Sequence, residues 1–156
     1  MKLNVLAIIS LISIVCSAYA TDQLVPSQFS TIQAAIDAAA PGDIVQISPG
    51  TYQGPIDLKG KAIMLRGTTT ATACVINGSD AGLPVLRCVA GETSLTIIEN
   101  LTLAGGNALE GAGVRIVNSS PTIRQCRIVN NNASGPAACR GGGVFVQGGN
   151  ASITDC

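Results

Sequence analysis

Residues 101–133 read LTLAGGNALEGAGVRIVNSSPTIRQCRIVNNNA, and residues 126–156 read CRIVNNNASGPAACRGGGVFVQGGNASITDC. The second stretch repeats the first. Gly111-Ala112-Gly113-Val114 returns as Gly141-Gly142-Gly143-Val144, Ile123 as Ile153 and Cys126 as Cys156, all at one and the same offset. A second register, with a somewhat smaller offset, links Leu101, Leu103, Asn107 and Ala108 to Cys126, Ile128, Asn132 and Ala133. The difference between the two offsets falls between Asn132 and Gly141, where the later copy carries Ala133 to Arg140 and the earlier only Ala108 to Glu110. A loop bulging from one side of a stacked coil absorbs such an insertion, so the pattern predicts stacked units of about 20 to 30 residues.

Working outward, short alternating runs separated by turn residues continue the theme: Ile44 to Ile47, Ile56 to Leu58, Ile63 to Leu65, Leu95 to Ile97, Leu101 to Leu103, Val114 to Ile116 and Val144 to Val146. Each predicts a very short strand. Strands of this kind suit coils that each lend a piece to several parallel sheets, with apolar residues facing a narrow interior. The composition agrees, with 18 Gly, two Phe, two Tyr and no Trp, so the core is built from small and branched aliphatics. Turns between such strands favour residues that tolerate positive φ, a role open to Asn130-Asn131-Asn132 and Gly105-Gly106-Asn107. Stacked asparagines also have the chance to bond to the coils above and below.

The other end of the chain reads differently. Residues 1–20 form a secretory signal: Lys2 is the positive start, Leu3 to Cys16 the apolar run, and Ala18-Tyr19-Ala20 an A-x-A site with cleavage expected after Ala20. The mature protein is thereby expected to be secreted or held at the cell surface, without a membrane span. Residues 21–42 form an N-terminal segment with a helix at Thr31 to Ala39, because Ile32, Ala35, Ile36 and Ala39 recur on one face. Ser30 is the expected cap, with Gln33 completing a capping box, and Pro41-Gly42 stops the helix. An amphipathic helix ahead of many strands predicts a cover over the first coil, and residues 43–156 form the coils, about four to five of them. The chain stops at Cys156 inside a repeat with no second cap, so truncation there and self-association through the uncapped C-terminal coil are expected.

The run Thr31-Ile32-Gln33-Ala34-Ala35-Ile36-Asp37-Ala38-Ala39, then Gly42-Asp43-Ile44-Val45 and Pro49-Gly50-Thr51-Tyr52, resembles the opening segment of the pectin lyase-like superfamily. The likeness continues through Lys61 to Gly67 and Cys74 to Gly78, and the Gly-Gly-Gly-Val-Phe-Val and Ser-Ile-Thr-Asp-Cys pieces look like repeats of bacterial surface β-helix proteins. The resemblance implies an all-β right-handed parallel β-helix, a solenoid, with an N-terminal capping helix. Pectin methylesterases begin in a similar way, and their catalysis uses aspartates, glutamines and an arginine on later coils, in strings such as Q-D-T-L and D-F-I-F-G. Neither string occurs here, so no catalytic residue carries over.

The remaining chemistry is sparse. Nine Lys plus Arg balance nine Asp plus Glu, which gives no basic surplus for nucleic acid. With no His, no C-x-x-C pair and no G-G-x-G-x-D calcium motif, neither a metal nor a cofactor is expected. The acidic residues are single and spread, so solvated surface or turn positions are expected for them. Five N-x-S/T sequons, beginning at Asn77, Asn100, Asn118, Asn132 and Asn150, are read as turn chemistry. Arg115, Arg124 and Arg127 are candidates for a basic, glycan-facing patch, against the alternative of solvated arginines covering apolar surface. Cys126 and Cys156 fall at equivalent inward positions of neighbouring coils, either as a disulfide or as two packed thiols. The functional expectation is an exported structural, adhesive or glycan-binding module that meets polysaccharide or cell-surface components. The alternative is the N-terminal part of a polysaccharide-active, pectin lyase- or pectinesterase-like enzyme whose catalytic coils lie beyond residue 156.

Overall fold

A computed structural model describes residues 20–78, 82–136 and 138–156. The signal reading at residues 1–20 therefore lies outside the described residues except for Ala20, as does Asp80. In chain order the first elements are β1 (Asp22–Val25), α1 (Ile32–Ala38), β2 (Ile44–Ile47), β3 (Gly50–Gln53) and β4 (Ile56–Asp57). Next come β5 (Met64–Gly67), β6 (Cys74–Asn77) and β7 (Leu86–Cys88), then β8 (Ile97–Glu99), β9 (Thr102–Ala104), β10 (Asn107–Ala108) and β11 (Val114–Val117). The last are β12 (Thr122–Arg124), β13 (Arg127–Val129), β14 (Asn132–Ala133), β15 (Val144–Gln147) and β16 (Ser152–Thr154).

Every strand pairing among the described residues is parallel, and the chain visits three sheets in cyclic order. Sheet A runs β1-β2-β5-β8-β12-β16, sheet B runs β3-β6-β9-β13 and sheet C runs β4-β7-β11-β15, with β10-β14 as a small fourth pair. The protein is thus β-dominated, built on parallel sheets with one helix among the described residues. Both sequence registers are reproduced: Val114 pairs with Val144 and Ile123 with Ile153, while Leu103 pairs with Ile128, Asn107 with Asn132 and Ala108 with Ala133. The circuits are less uniform than the repeat implies. Along sheet A, Ile44, Met64, Ile97, Thr122 and Ser152 stand side by side, so the circuit from Ile44 to Met64 is the shortest and the next, from Met64 to Ile97, the longest.

Alternation decides which side chains fill the interior. Val45, Leu65, Ile98 and Ile123 form one fully buried column from sheet A; Ile76 and Leu103 come from sheet B, and Leu86 and Val114 from sheet C. These aliphatics join one continuous core, to which α1 contributes Ile32, Ala35 and Ile36. The glycine pattern has a steric cause. Gly111 and Gly141 sit at φ 59° and 63°, a conformation that a side chain strains. Gly113 is different: a Cβ there would run into the Gly143 carbonyl of the next circuit. The asparagine turn stacks as expected, with Asn130 at φ 55° and Asn131 accepting from Gly106 N–H at 2.8 Å while donating to the Leu103 carbonyl at 3.0 Å.

Three details correct the sequence reading. Thr31, not Ser30, caps α1, its hydroxyl accepting from Ala34 N–H, and Gln33 is used elsewhere. Its amide grips both backbone groups of Asp57, at 2.9 and 3.1 Å, and so ties α1 to β4. The strand placed at Leu95 to Ile97 begins instead at Ile97, because it is Ile98 that fills the interior column, and Leu95 is 70% exposed in a turn. The carboxylates are not all solvated: Asp43, Glu92 and Glu99 are buried. Asp43 accepts from the backbone N–H of Thr21 and of Ala40, at 2.8 and 2.9 Å, locking β1 against the end of α1. Those bonds, the Thr21 N–H foremost, hold its carboxyl below the usual value against the opposing effect of burial. At the same helix end Lys61 Nζ donates to the carbonyls of Ile36, Asp37 and Ala39, at 2.7, 2.8 and 2.7 Å. A cation on the last carbonyls also suits the helix dipole.

Candidate functional site

The outward faces of sheets A and C both carry arginines, in contrasting settings. On sheet A, pairing places Glu99 between Arg66 and Arg124. The Glu99 side chain is 6% exposed and accepts from Arg124 Nε at 2.6 Å and from Arg66 Nε. Burial pushes the Glu99 carboxyl up, but the bonds and charges of Arg124 and Arg66 outweigh it, so the group titrates below its usual range. This ladder is internally neutralised except for one charge.

On sheet C the order is Asp57, Arg87, Arg115, Phe145, so two guanidiniums stand on adjacent strands with no carboxylate between them. Asp57 is next in line beyond Arg87, and Glu110 precedes the strand of Arg115. Arg87 meets Asp57 at 3.5 Å, and Arg115 meets Glu110 at 3.4 Å, with Arg140 reaching the same carboxylate at 3.8 Å. These are long, partly exposed pairs, which water and salt screen. Above them opens a cleft of about 560 Å³, lined by Arg87, Arg115 and Glu110 and walled by Leu83, Pro84 and Leu109. Leu83 and Leu109 are 42% and 43% exposed, which gives the cleft an apolar rim over a basic floor.

The position of this cleft follows from the repeat. Its walls are Gly82, Leu83 and Pro84 ahead of β7 and the turn from β10 to β11, and Ala138, from the insertion that separates the two sequence registers, also lines it. A regular scaffold that thickens at one corner concentrates irregular backbone there, the usual setting of binding residues. Apolar walls with a few convergent polar groups are the general character of ligand sites.

The three arginines singled out from sequence do not converge. Arg115 lies on sheet C, Arg124 on sheet A and Arg127 on sheet B, so the chain's winding distributes them around the molecule. Arg115 alone joins the cleft, and the sequence reading does not single out its companion Arg87. The signal for Arg87 is the pairing of β7 with β11, whose spacing matches neither of the two sequence registers. Cys126 is buried and Cys156 exposed, both as free thiols. No group of three metal-ligating side chains is present among the described residues, and no helix there is long and apolar enough to cross a membrane. No family model, no curated protein and no solved structure matches the chain.

Proposed function

We propose that this chain is an exported right-handed parallel β-helix of the pectin lyase-like kind that works as a non-catalytic structural or adhesive module, holding an acidic glycan in the sheet C cleft. The observation that carries the reading is the in-register pair Arg87 and Arg115 on the floor of an open, apolar-rimmed cleft. Cyclic parallel sheets support the β-helix, and the strong preference of parallel crossovers for one hand supports its right-handedness. Two arginines carried on strands about 4.8 Å apart suit successive carboxylate or sulfate groups, which planar guanidiniums bind as forks. Sugar rings then pack their C–H faces on Leu83, Pro84 and Leu109. Binding is favoured over acid–base chemistry because Asp43, Glu92 and Glu99 are buried in scaffold bonds, and Glu110 is the single carboxylate among the described residues lining the cleft, without the second that paired acid–base work needs.

The test is a titration of residues 21–156 with polygalacturonate and with neutral dextran. Salt-sensitive binding of the acidic polymer alone is expected, weakened at least about tenfold by Arg115→Ala or Arg87→Ala and retained in Arg127→Ala. Equal binding of dextran, or an Arg115→Ala variant that binds as well as the parent, overturns the cleft. Depolymerisation of the polyuronate by this chain overturns the non-catalytic reading.

A further inference from the structure

The corner where sheet A hands over to sheet B contains a column of equivalent positions, one per circuit. Cys74 precedes Val75, Leu101 precedes Thr102 and Cys126 precedes Arg127, and those three followers are paired in register. Cys126 and Cys156 in turn each follow, at the same remove, the paired Arg124 and Thr154. The column therefore runs Cys74, Leu101, Cys126, Cys156.

Its thiols share one geometry. Cys74 Sγ points to the Ile47 carbonyl at 3.3 Å, Cys126 Sγ to Ile98 at 3.7 Å and Cys156 Sγ to Ile123 at 3.9 Å, each a residue of the preceding circuit. Cys126 and Cys156 agree further: each also approaches a carbonyl just behind it in the chain, Arg124 at 3.3 Å and Thr154 at 3.1 Å, and each follows a residue at φ 53°, Gln125 or Asp155. Two cysteines with the same local backbone, one strand spacing apart at about 4.8 Å, fall inside the Cα separation of about 4.4–6.8 Å that a disulfide spans.

We propose that Cys126 and Cys156 are a disulfide site that clamps two successive circuits, and that Cys74 and Cys88 stay reduced. Leu101 separates Cys74 from Cys126 by two strand spacings, and Cys88 lies on sheet C beside Ile116, so neither has a thiol in the next circuit. The inference goes beyond the glycan reading and stands whether or not the cleft binds one.

The chemistry is exchange with a small-molecule disulfide of the glutathione type. The exposed Cys156 loses its proton and its thiolate attacks the external disulfide, forming a mixed disulfide and releasing one small thiolate. Cys126 then loses its proton and attacks the Cys156 sulfur, releasing the second. The pair gives up two electrons and two protons, and the reagent ends as two thiols. Burial pushes the Cys126 thiol up, which makes the second step the slow one.

The experiment oxidises residues 21–156 with glutathione disulfide, unfolds the product without reductant, labels remaining thiols and maps the peptides. The expected product is a monomer with Cys126 linked to Cys156, with Cys74 and Cys88 labelled, and with amide exchange in β16 slowed at least about tenfold against the reduced protein. Cys139→Ser removes the other exposed thiol and should leave this product unchanged. Cys156→Ser should abolish it, and because that residue is exposed the substitution leaves the core intact. Labelling at both Cys126 and Cys156, a link from either to Cys74, Cys88 or Cys139, or a link only between chains overturns the proposal.

Discussion

Sheets A and C use arginine at the same spacing for opposite ends. On sheet A, a buried carboxylate stands between two guanidiniums, and the ladder Arg66, Glu99, Arg124 ties three circuits together. On sheet C the guanidiniums are neighbours, and their carboxylates sit on the flanks at 3.5 and 3.4 Å. An outward charge on stacked strands is therefore read by its neighbours above and below, not by its own sequence context. Held between two opposite charges it fixes register; facing a like charge on one side it leaves donors available to something else. Like charges directly opposite each other in a sheet are themselves unfavourable, so the sheet C arrangement gives up some stability that a bound anion would restore.

The largest effect expected from breaking this contrast is at Glu99. Glu99→Ala removes the shared partner of two arginines and should lower the unfolding free energy by about 2 kcal/mol, less than the full cost of breaking a buried pair because Arg66 and Arg124 are 37% and 42% exposed and rehydrate. Arg87→Ala on sheet C should change it by less than about 1 kcal/mol, since its ion pair is long and partly exposed. Urea denaturation of both variants checks the pair. Equal losses would mean that the two faces are energetically alike, and the contrast would fail.

How much of this is legible in the sequence depends on circuit length. The later circuits announce themselves, because Gly111, Gly113 and Val114 have counterparts at one offset, and glycine placement is dictated locally by φ and by the closeness of the next backbone. Cys126 and Cys156 align for the same reason. The earlier circuits are hidden because a short one, Ile44 to Met64, is followed by a long one, Met64 to Ile97, and no single period covers both. Arg66 stands across that long circuit from Glu99, and neither carries a motif of its own, so the ladder is visible only once every circuit is in register. The strand at Asp22–Val25 escapes the sequence reading because Asp22, Gln23 and an outward Leu24 leave only Val25 to signal the core. Isolated carboxylates are expected in solvent, but a corner of stacked turns offers buried backbone donors: Glu92 accepts from Gly60 and Ala90 N–H at 2.9 and 3.0 Å and from the Ser119 hydroxyl at 2.8 Å.

A smaller effect should appear on acidification. Glu99 and Asp43 are both held below their ordinary values of 4.5 and 3.8 in the folded protein. A depressed carboxyl contributes stability that is complete above its unfolded value and disappears as pH falls through the folded one. Stability should therefore begin to decline as pH drops past about 4.5 and continue to fall below about 3.8. Glu99→Gln should flatten the first part of that decline. Thermal unfolding followed from about pH 3 to about pH 7 reads it, and a parent protein whose stability is flat over that range would show that these bonds carry no linkage.

The finest distinction between the faces is the fork of arginine against the point charge of lysine. Arg124 engages Glu99 Oε2 through both Nε and a terminal nitrogen, so Arg124→Lys keeps the charge but loses one of two donors and should cost about 0.5 kcal/mol of stability. At Arg115 the single contact to Glu110 is 3.4 Å long, and Arg140 reaches the same carboxylate, so Arg115→Lys should leave stability unchanged within error. Its consequence should appear instead in the polyuronate titration, as a loss of a few-fold, smaller than that of Arg115→Ala because the charge remains. Stability and binding thus move in opposite pairs: the sheet A lysine weakens the fold and spares the ligand, and the sheet C lysine does the reverse. If Arg115→Lys weakens the fold as much as Arg124→Lys and leaves binding intact, then Arg115 belongs to the scaffold, and the cleft has lost the residue on which its reading rests.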